Sequence, residues 1–350
     1  MKKTAYIFYL PILLLFISCI DEISLNVDAD DRKIAVDGLI SDEPDEYQIR
    51  LSYSSVLGQG VDIVQERIKG ALVKVIDDEG NEVTFVEIED GVYSAFLAAE
   101  VGRTYFTEIN VEEKIIRSHP QVMLPRVRID TIKYEIDDDV PYQNKDGFIF
   151  YKDEVVVKLN TTIDENIERP YLRWRTEGEF QIQEDYPMAT SKKMCYVPNT
   201  VDFNTLSIFN TNNLYGNYLF DEEIVRTEMD FRFVWNYCFH IRQYSISERE
   251  YKYWDKIKEL SFIEGSLFDP PPGRIIGNLY NVDNPNEYIA GYFSVASVSY
   301  KRIFLNRFDL DRKIAAACST NPRIESRPEC KDCLKFIGST TQEPEYWRRQ

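Results

Sequence analysis

Apolar positions fall into two kinds of run: one unbroken block at the N-terminus, then many short alternating segments. The block, Tyr6 to Ile17, is 12 residues long, is interrupted only by Pro11, and follows Lys2 and Lys3. Crossing a bilayer takes ~20 apolar residues, whereas the apolar region of a secretory leader is ~7–15. The run therefore reads as a cleavable leader. It ends Leu13-Leu14-Leu15-Phe16-Ile17-Ser18-Cys19, and Ile20-Asp21-Glu22 follow at once. A small residue and then Cys at the end of the apolar run is the pattern of a lipidation site. The expectation is that residues 1–18 are removed and that the Cys19 thiol carries a diacylglycerol, holding the protein on a membrane. An ordinary secretory leader with a chance cysteine is the alternative. Two or three acyl chains anchor a protein stably where one does so marginally. Residues 19–31 are acidic and poor in large apolar groups and read as a tether.

From Lys33 onward the period is two. Ile34-Ala35-Val36, Tyr47/Ile49/Leu51, Ala71 to Ile76, Val83 to Val86, Val92 to Phe96, Tyr105 to Val111 and Ile115-Ile116 form about seven short segments. Gly, Asp and Asn turns separate them. This spacing predicts an immunoglobulin-like β-sandwich over residues 32–124. Pro120 to Pro125 marks a boundary. Beyond it, Ile129 to Ile136, Glu154 to Leu159 and Tyr171 to Trp174 predict strands of a second β-rich domain, residues 125–310. Residues 185–245 show few clear periods and read as long loops. Residues 311–350 form a C-terminal tail containing cysteines. The predicted fold class is mainly β, with one inserted helix near 247–260. Ser247 and Glu250 form a capping box there, and Ile246 and Tyr251 a hydrophobic staple. Tyr251, Trp254, Ile257 and Leu260 then give an apolar stripe. Asp269-Pro270-Pro271-Pro272-Gly273 ends the helical run.

Charge narrows the functional classes. The chain of 350 residues carries 41 basic and 59 acidic side chains, for a net −18. The leader holds two of the lysines and no acid, so its removal leaves −20. Such a field repels nucleic acid, which is excluded as a partner. Five cysteines remain beyond Cys19: Cys195, Cys238, Cys318, Cys330 and Cys333. In an exported protein these predict disulfides. The expected pairing is Cys195–Cys238, with Cys318 bonded to Cys330 or Cys333, and one thiol left over. The Cys330-x-x-Cys333 pair is not read as a zinc site: His119 and His240 are the chain's two histidines, and neither is suitably spaced. No metal and no cofactor are expected. Catalytic motifs are also missing, with no nucleophile elbow, metal-ligand histidine pair or phosphate loop. Scarce histidine removes the commonest general base. The chain reads as a non-enzyme.

Two motifs carry a family resemblance. One is Gly277-Asn278-Leu279-Tyr280-Asn281-Val282-Asp283-Asn284-Pro285-Asn286-Glu287-Tyr288, continuing to Val298. The other is Pro328-Glu329-Cys330-Lys331-Asp332-Cys333, with Pro344-Glu345-Tyr346-Trp347 as the finish. With Val36-Asp37-Gly38-Leu39-Ile40, the chain resembles the Bacteroidota lipoproteins grouped as domain of unknown function 4249. Ile337-Gly338 departs from the Gly pair expected after the cysteines. The resemblance implies an outer-membrane lipoprotein that works beside a TonB-dependent transporter in nutrient uptake. Asp21 and Glu22 resemble this phylum's signal for export to the cell surface. The family has no agreed activity, so no functional residue is carried over. Span 276–305 is read as a β-hairpin of the second domain, with Gly277 and Gly291 allowing close backbone approach. A surface module binding glycans or proteins, adhesin-like, is the second functional reading. Its candidate stacking residues are Tyr196, Phe209, Tyr215, Tyr218 and Trp235.

Overall fold

The computed structural model describes residues 33–53, 66–144, 146–185, 192–200, 206–261, 274–310, 312–318 and 328–349. The leader, Cys19, Asp21, Glu22 and the Pro270–Pro272 run lie outside the described residues. The protein is mainly β. Its first unit begins with β1 (Ile34–Ile40), β2 (Asp45–Tyr53), β3 (Leu72–Asp77), β4 (Glu82–Glu89), β5 (Val92–Leu97), β6 (Thr104–Val111), β7 (Lys114–Ser118) and β8 (Gln121–Val122). Alternation along β1 and β6 buries every second residue, which makes one face of a half-buried sheet. Ile49, Val73, Tyr93, Ile109 and Phe293 meet in the core behind it. Strand β4 turns the corner: Glu82 to Phe85 pair with β3, and Val86 to Glu89 pair with β5 past a bulge. One strand thereby belongs to both layers, as at a sandwich corner.

The second unit contains β9 (Ile129–Gln143), β10 (Ile149–Thr162), β11 (Tyr171–Gln183), β12 (Met194–Thr200), β13 (Ser207–Phe209), β14 (Tyr218–Glu228) and β15 (Tyr237–Ile246). Residues 185–245 thus contain four strands where the sequence suggested loops. Their Tyr and Phe content favours strands, but irregular spacing hides the period. After helix α1 (Glu248–Ser261) come β16 (Leu279–Asn281), β17 (Ala290–Val295) and β18 (Ser297–Leu305). A three-stranded sheet, β14-β10-β9, faces a five-stranded one, β12-β11-β15-β18 with β13 also on β11. Between them lie Val155, Val157, Leu172, Trp174, Phe180, Phe239, Ile241 and Leu305.

Span 276–305 is not a hairpin of this second unit. Strand β16 pairs antiparallel with β7, and β17 pairs parallel with β1, so both complete the first unit's ten-stranded sheet. Only β18 joins the second unit, along β15. The two outer strands of the large sheet, β16 and β17, are bridged by Asn278. Its backbone carbonyl accepts from the His119 amide at 2.7 Å. Its side-chain amide donates to the Phe293 carbonyl at 2.8 Å and accepts from the Phe293 amide at 3.0 Å. One side chain therefore does what a paired strand would do. Close approach explains the two glycines. A Cβ on Gly277 would lie 1.8 Å from the Gly291 carbonyl oxygen, and one on Gly291 1.9 Å from that of Val36. Strand β17 runs through Ala296 straight into β18, so one continuous segment ties the sandwiches together. The Ala296 amide donates to Ile40, and the Val298 amide donates to Asp42.

Helix α1 starts as its cap predicts: Ser247 Oγ accepts from the Glu250 amide at 3.2 Å. The reciprocal arm is absent. The Glu250 carboxylate points away and accepts from Ser294 Oγ on β17 at 2.7 Å and from Trp254 Nε1 at 3.2 Å.

Two disulfides secure the tail, Cys195–Cys333 and Cys318–Cys330. The expected Cys195–Cys238 bond is therefore corrected, and Cys238 is a buried free thiol. The reason is topological. Strands β12 and β15 flank β11 on opposite sides, two strand spacings or ~10 Å apart, beyond disulfide reach. Cys195 also faces the core, while Cys238 faces the opposite side against Tyr196 and Trp347.

Candidate functional site

Strands β11, β15 and β18 present one face to the core. Alternation sends the intervening residues to the other face, and those residues are polar. On β11 they are Arg173, Arg175, Glu177 and Glu179; on β15, His240 and Arg242; on β18, Tyr300 and Arg302. Register turns these into rows. Arg175, Arg242 and Tyr300 lie side by side, and next to them Glu177, His240 and Arg302. Above them opens a cleft of about 840 Å³. Trp254 and Ile257 of α1 form one wall and Tyr346 of the tail another, while Asp37 and Arg50 reach in from the first sandwich.

The cleft is positive on an acidic protein. Five arginines line it: Arg50, Arg173, Arg175, Arg242 and Arg302, against the carboxylates Asp37, Glu177 and Glu179. Arg50 lies 3.8 Å from Asp37. Arg173 stacks on Trp254 at 3.6 Å, with buried Glu250 at 3.9 Å. Glu179 accepts from Tyr346 and Trp347 within the tail wall. Glu177 alone serves two arginines, at 3.0 Å from Arg242 and 3.4 Å from Arg175. Arg302 makes no ion pair among the described residues and packs its guanidinium over the rings of Tyr300 and Tyr346, at 4.7 and 4.4 Å. Like charges placed opposite one another destabilise a sheet, so placing Arg175 across from Arg242 carries a cost.

Among the described residues, two buried nitrogens at the cleft have no hydrogen-bond partner, Arg173 Nε and His240 Nε2. His240 Nδ1 lies 2.6 Å from the Tyr300 hydroxyl. Burial, then the neighbouring Arg302 and Arg242, push the His240 imidazole down to about 4, so it is neutral at pH 7. Desolvation, opposed by Arg173, raises the Glu250 carboxyl above the ordinary range. Among the described residues, no three His, Cys, Asp or Glu side chains are grouped to hold a metal.

The five aromatic residues singled out from sequence do not form one platform. Tyr196 is buried, its ring 5.5 Å from that of Trp347. Phe209 packs against the second core. Trp235 is half-buried beneath the Arg307 guanidinium. Tyr215 and Tyr218 are exposed, and Tyr218 neighbours Phe220. No ring contact joins any two of the five among the described residues. Sequence reading missed the arginine row altogether. The signal lay in Leu172-Arg173-Trp174-Arg175, which alternates apolar and cationic residues, but only the register shows what Arg175 faces.

Fold and site together define a double β-sandwich protein with a cationic cleft in an acidic chain. The chain belongs to the family described as Domain of unknown function (DUF4249), whose model matches residues 20–302. No curated protein and no solved structure matches it.

Proposed function

We propose that this protein is a non-enzymatic binding lipoprotein of the outer membrane, anchored through Cys19 and facing the cell surface. It serves a TonB-dependent transporter in nutrient uptake and holds its ligand in the arginine-lined cleft. The observation that carries this reading is the cleft itself: five arginines line it, four of them on one open sheet face, in a chain with net charge −18. Its size suits a small molecule, since ligand sites are commonly ~300–1,000 Å³. The leader and Cys19 support the membrane tether, and the family resemblance supports the transporter. Purifying the native protein in mild detergent should bring down a barrel transporter. Cys19→Ser should leave the fold intact and release the protein in soluble form. Recovery of the lipidated protein alone, or full complementation of a deletion strain by the soluble form, would overturn the reading.

The exposed Tyr215, Tyr218 and Phe220 favour a second reading as a surface glycan- or protein-binding module. Tyr215→Ala with Tyr218→Ala should then abolish adhesion to glycan-coated surfaces while leaving transporter capture unchanged.

A further inference from the structure

We infer that the cleft takes an oxyanion ligand, held by the face formed by Arg175, Arg242 and Arg302. The inference rests on the binding-protein reading and adds the ligand's chemistry to it. Charge balance carries it. Arg50 is matched by Asp37, and Arg173 by Glu250. Glu179 accepts only from the neutral Tyr346 and Trp347 of the tail and keeps its charge. That leaves three arginines facing the carboxylates of Glu177 and Glu179, and only Glu177 pairs with any of them. One positive charge stays uncompensated, on arginines held close together by strand register. Solvent-exposed cations can rest in water, but the two orphaned nitrogens cannot. His240 is only 9% exposed, and its Nε2, like Arg173 Nε, is buried beside the cleft with no hydrogen-bond partner among the described residues. An unmade hydrogen bond at a buried polar atom is costly, and an acceptor-rich guest would satisfy these groups.

Arginine suits this role because its planar fork grips carboxylate, sulfate or phosphate through paired N–H groups. Arg302 lies over the rings of Tyr300 and Tyr346, which holds its guanidinium at the cleft without an ion pair among the described residues. The shared chemistry is the oxyanion group, carried either by free phosphate or by an acidic saccharide. The cleft of about 840 Å³ leaves room for the saccharide.

The test is titration calorimetry on the full-length protein in detergent, with inorganic phosphate and digalacturonate as probes. The methyl ester of digalacturonate serves as the neutral control, and chloride maintains ionic strength. Guanidinium Nε signals in nitrogen NMR report the site directly. At least one probe should bind, shift the Arg302 and Arg242 signals, and lose affinity about 10- to 100-fold in Arg302→Gln and in Arg242→Gln. Tighter binding of phosphate identifies free-phosphate capture, and tighter binding of digalacturonate identifies an acidic saccharide. Arg302 is exposed, so its variant keeps the fold, and the melting temperature checks this. The inference is overturned if neither probe moves the arginine signals beyond chloride, if the ester binds as well as the acid, or if both variants bind normally. Co-purification of the transporter is scored separately, so the broader reading can survive the failure of this one.

Discussion

Gln243 and His240 sit three residues apart on the same strand and face opposite sides of one sheet, and their surroundings could hardly differ more. Gln243, on the core side, is saturated. Its Oε1 accepts from Trp174 Nε1 at 2.9 Å and Thr161 Oγ1 at 3.0 Å, and its Nε2 donates to the Val127 carbonyl at 2.9 Å. His240, on the cleft side, leaves Nε2 without a partner. On the core face Gln243 makes three side-chain hydrogen bonds, while the other face keeps open donors and surplus positive charge. A complete network serves folding alone. Incomplete pairing at one defined place marks a surface arranged for something else.

Substitutions can break this contrast, beginning with the strongest effect. Phe239→Ala, at a wholly buried core position, should cost about 3–5 kcal/mol in urea unfolding. A small loss would mean that the core face is not what holds the sheet. Gln243→Leu should cost about 1–3 kcal/mol, because Trp174 Nε1 and the Val127 carbonyl lose their partner. If it proves neutral, water replaces the amide and the saturated network is dispensable.

Acid should test the other face. The folded state holds the His240 imidazole down to about 4, below its ordinary 6.5. A depressed cationic group contributes stability above its unfolded pKa and loses it as pH falls through the folded value. Stability should therefore decline between about pH 6.5 and 4, and His240→Gln should flatten that part of the curve in melting experiments. An unchanged slope would place the acid sensitivity elsewhere. Smallest of all, Arg242→Gln should shift stability by no more than about 0.5 kcal/mol, since it relieves repulsion from Arg175 while giving up Glu177. A large loss would show the arginine row to be a structural brace, and the contrast between the faces would fail.

Local pattern made much of the fold legible. Strands β1 to β7 follow from the two-residue period, and the start of α1 from Ser247. What stayed hidden depends on pairing between distant segments. The run 279–295 looks like any hairpin until β1 and β7 are known to lie beside it. Cys195 and Cys238 each suit a disulfide, and the intervening β11 and their opposite facing forbid the bond. Likewise Arg175, Arg242 and Arg302 belong to three separate strands, and no local window contains two of them. Glu250 was read as a cap partner because its spacing is right. Its carboxylate goes to Ser294 instead, a choice made by tertiary packing.

The return of β17 to β1 also sets an order of events. Val36 meets Gly291 at a sequence separation of 255, and pairing at that separation is slow because its loop-closure entropy must be met first. The first sandwich therefore cannot finish until nearly the whole polypeptide has emerged. The far edge of β1, already paired with β2 on its other side, waits for β17 while β3 to β15 assemble, and Asn278 then latches the last gap. Completion of the N-terminal unit is thus a late event, so a chain cut short before residue 290 would expose an adhesive strand edge.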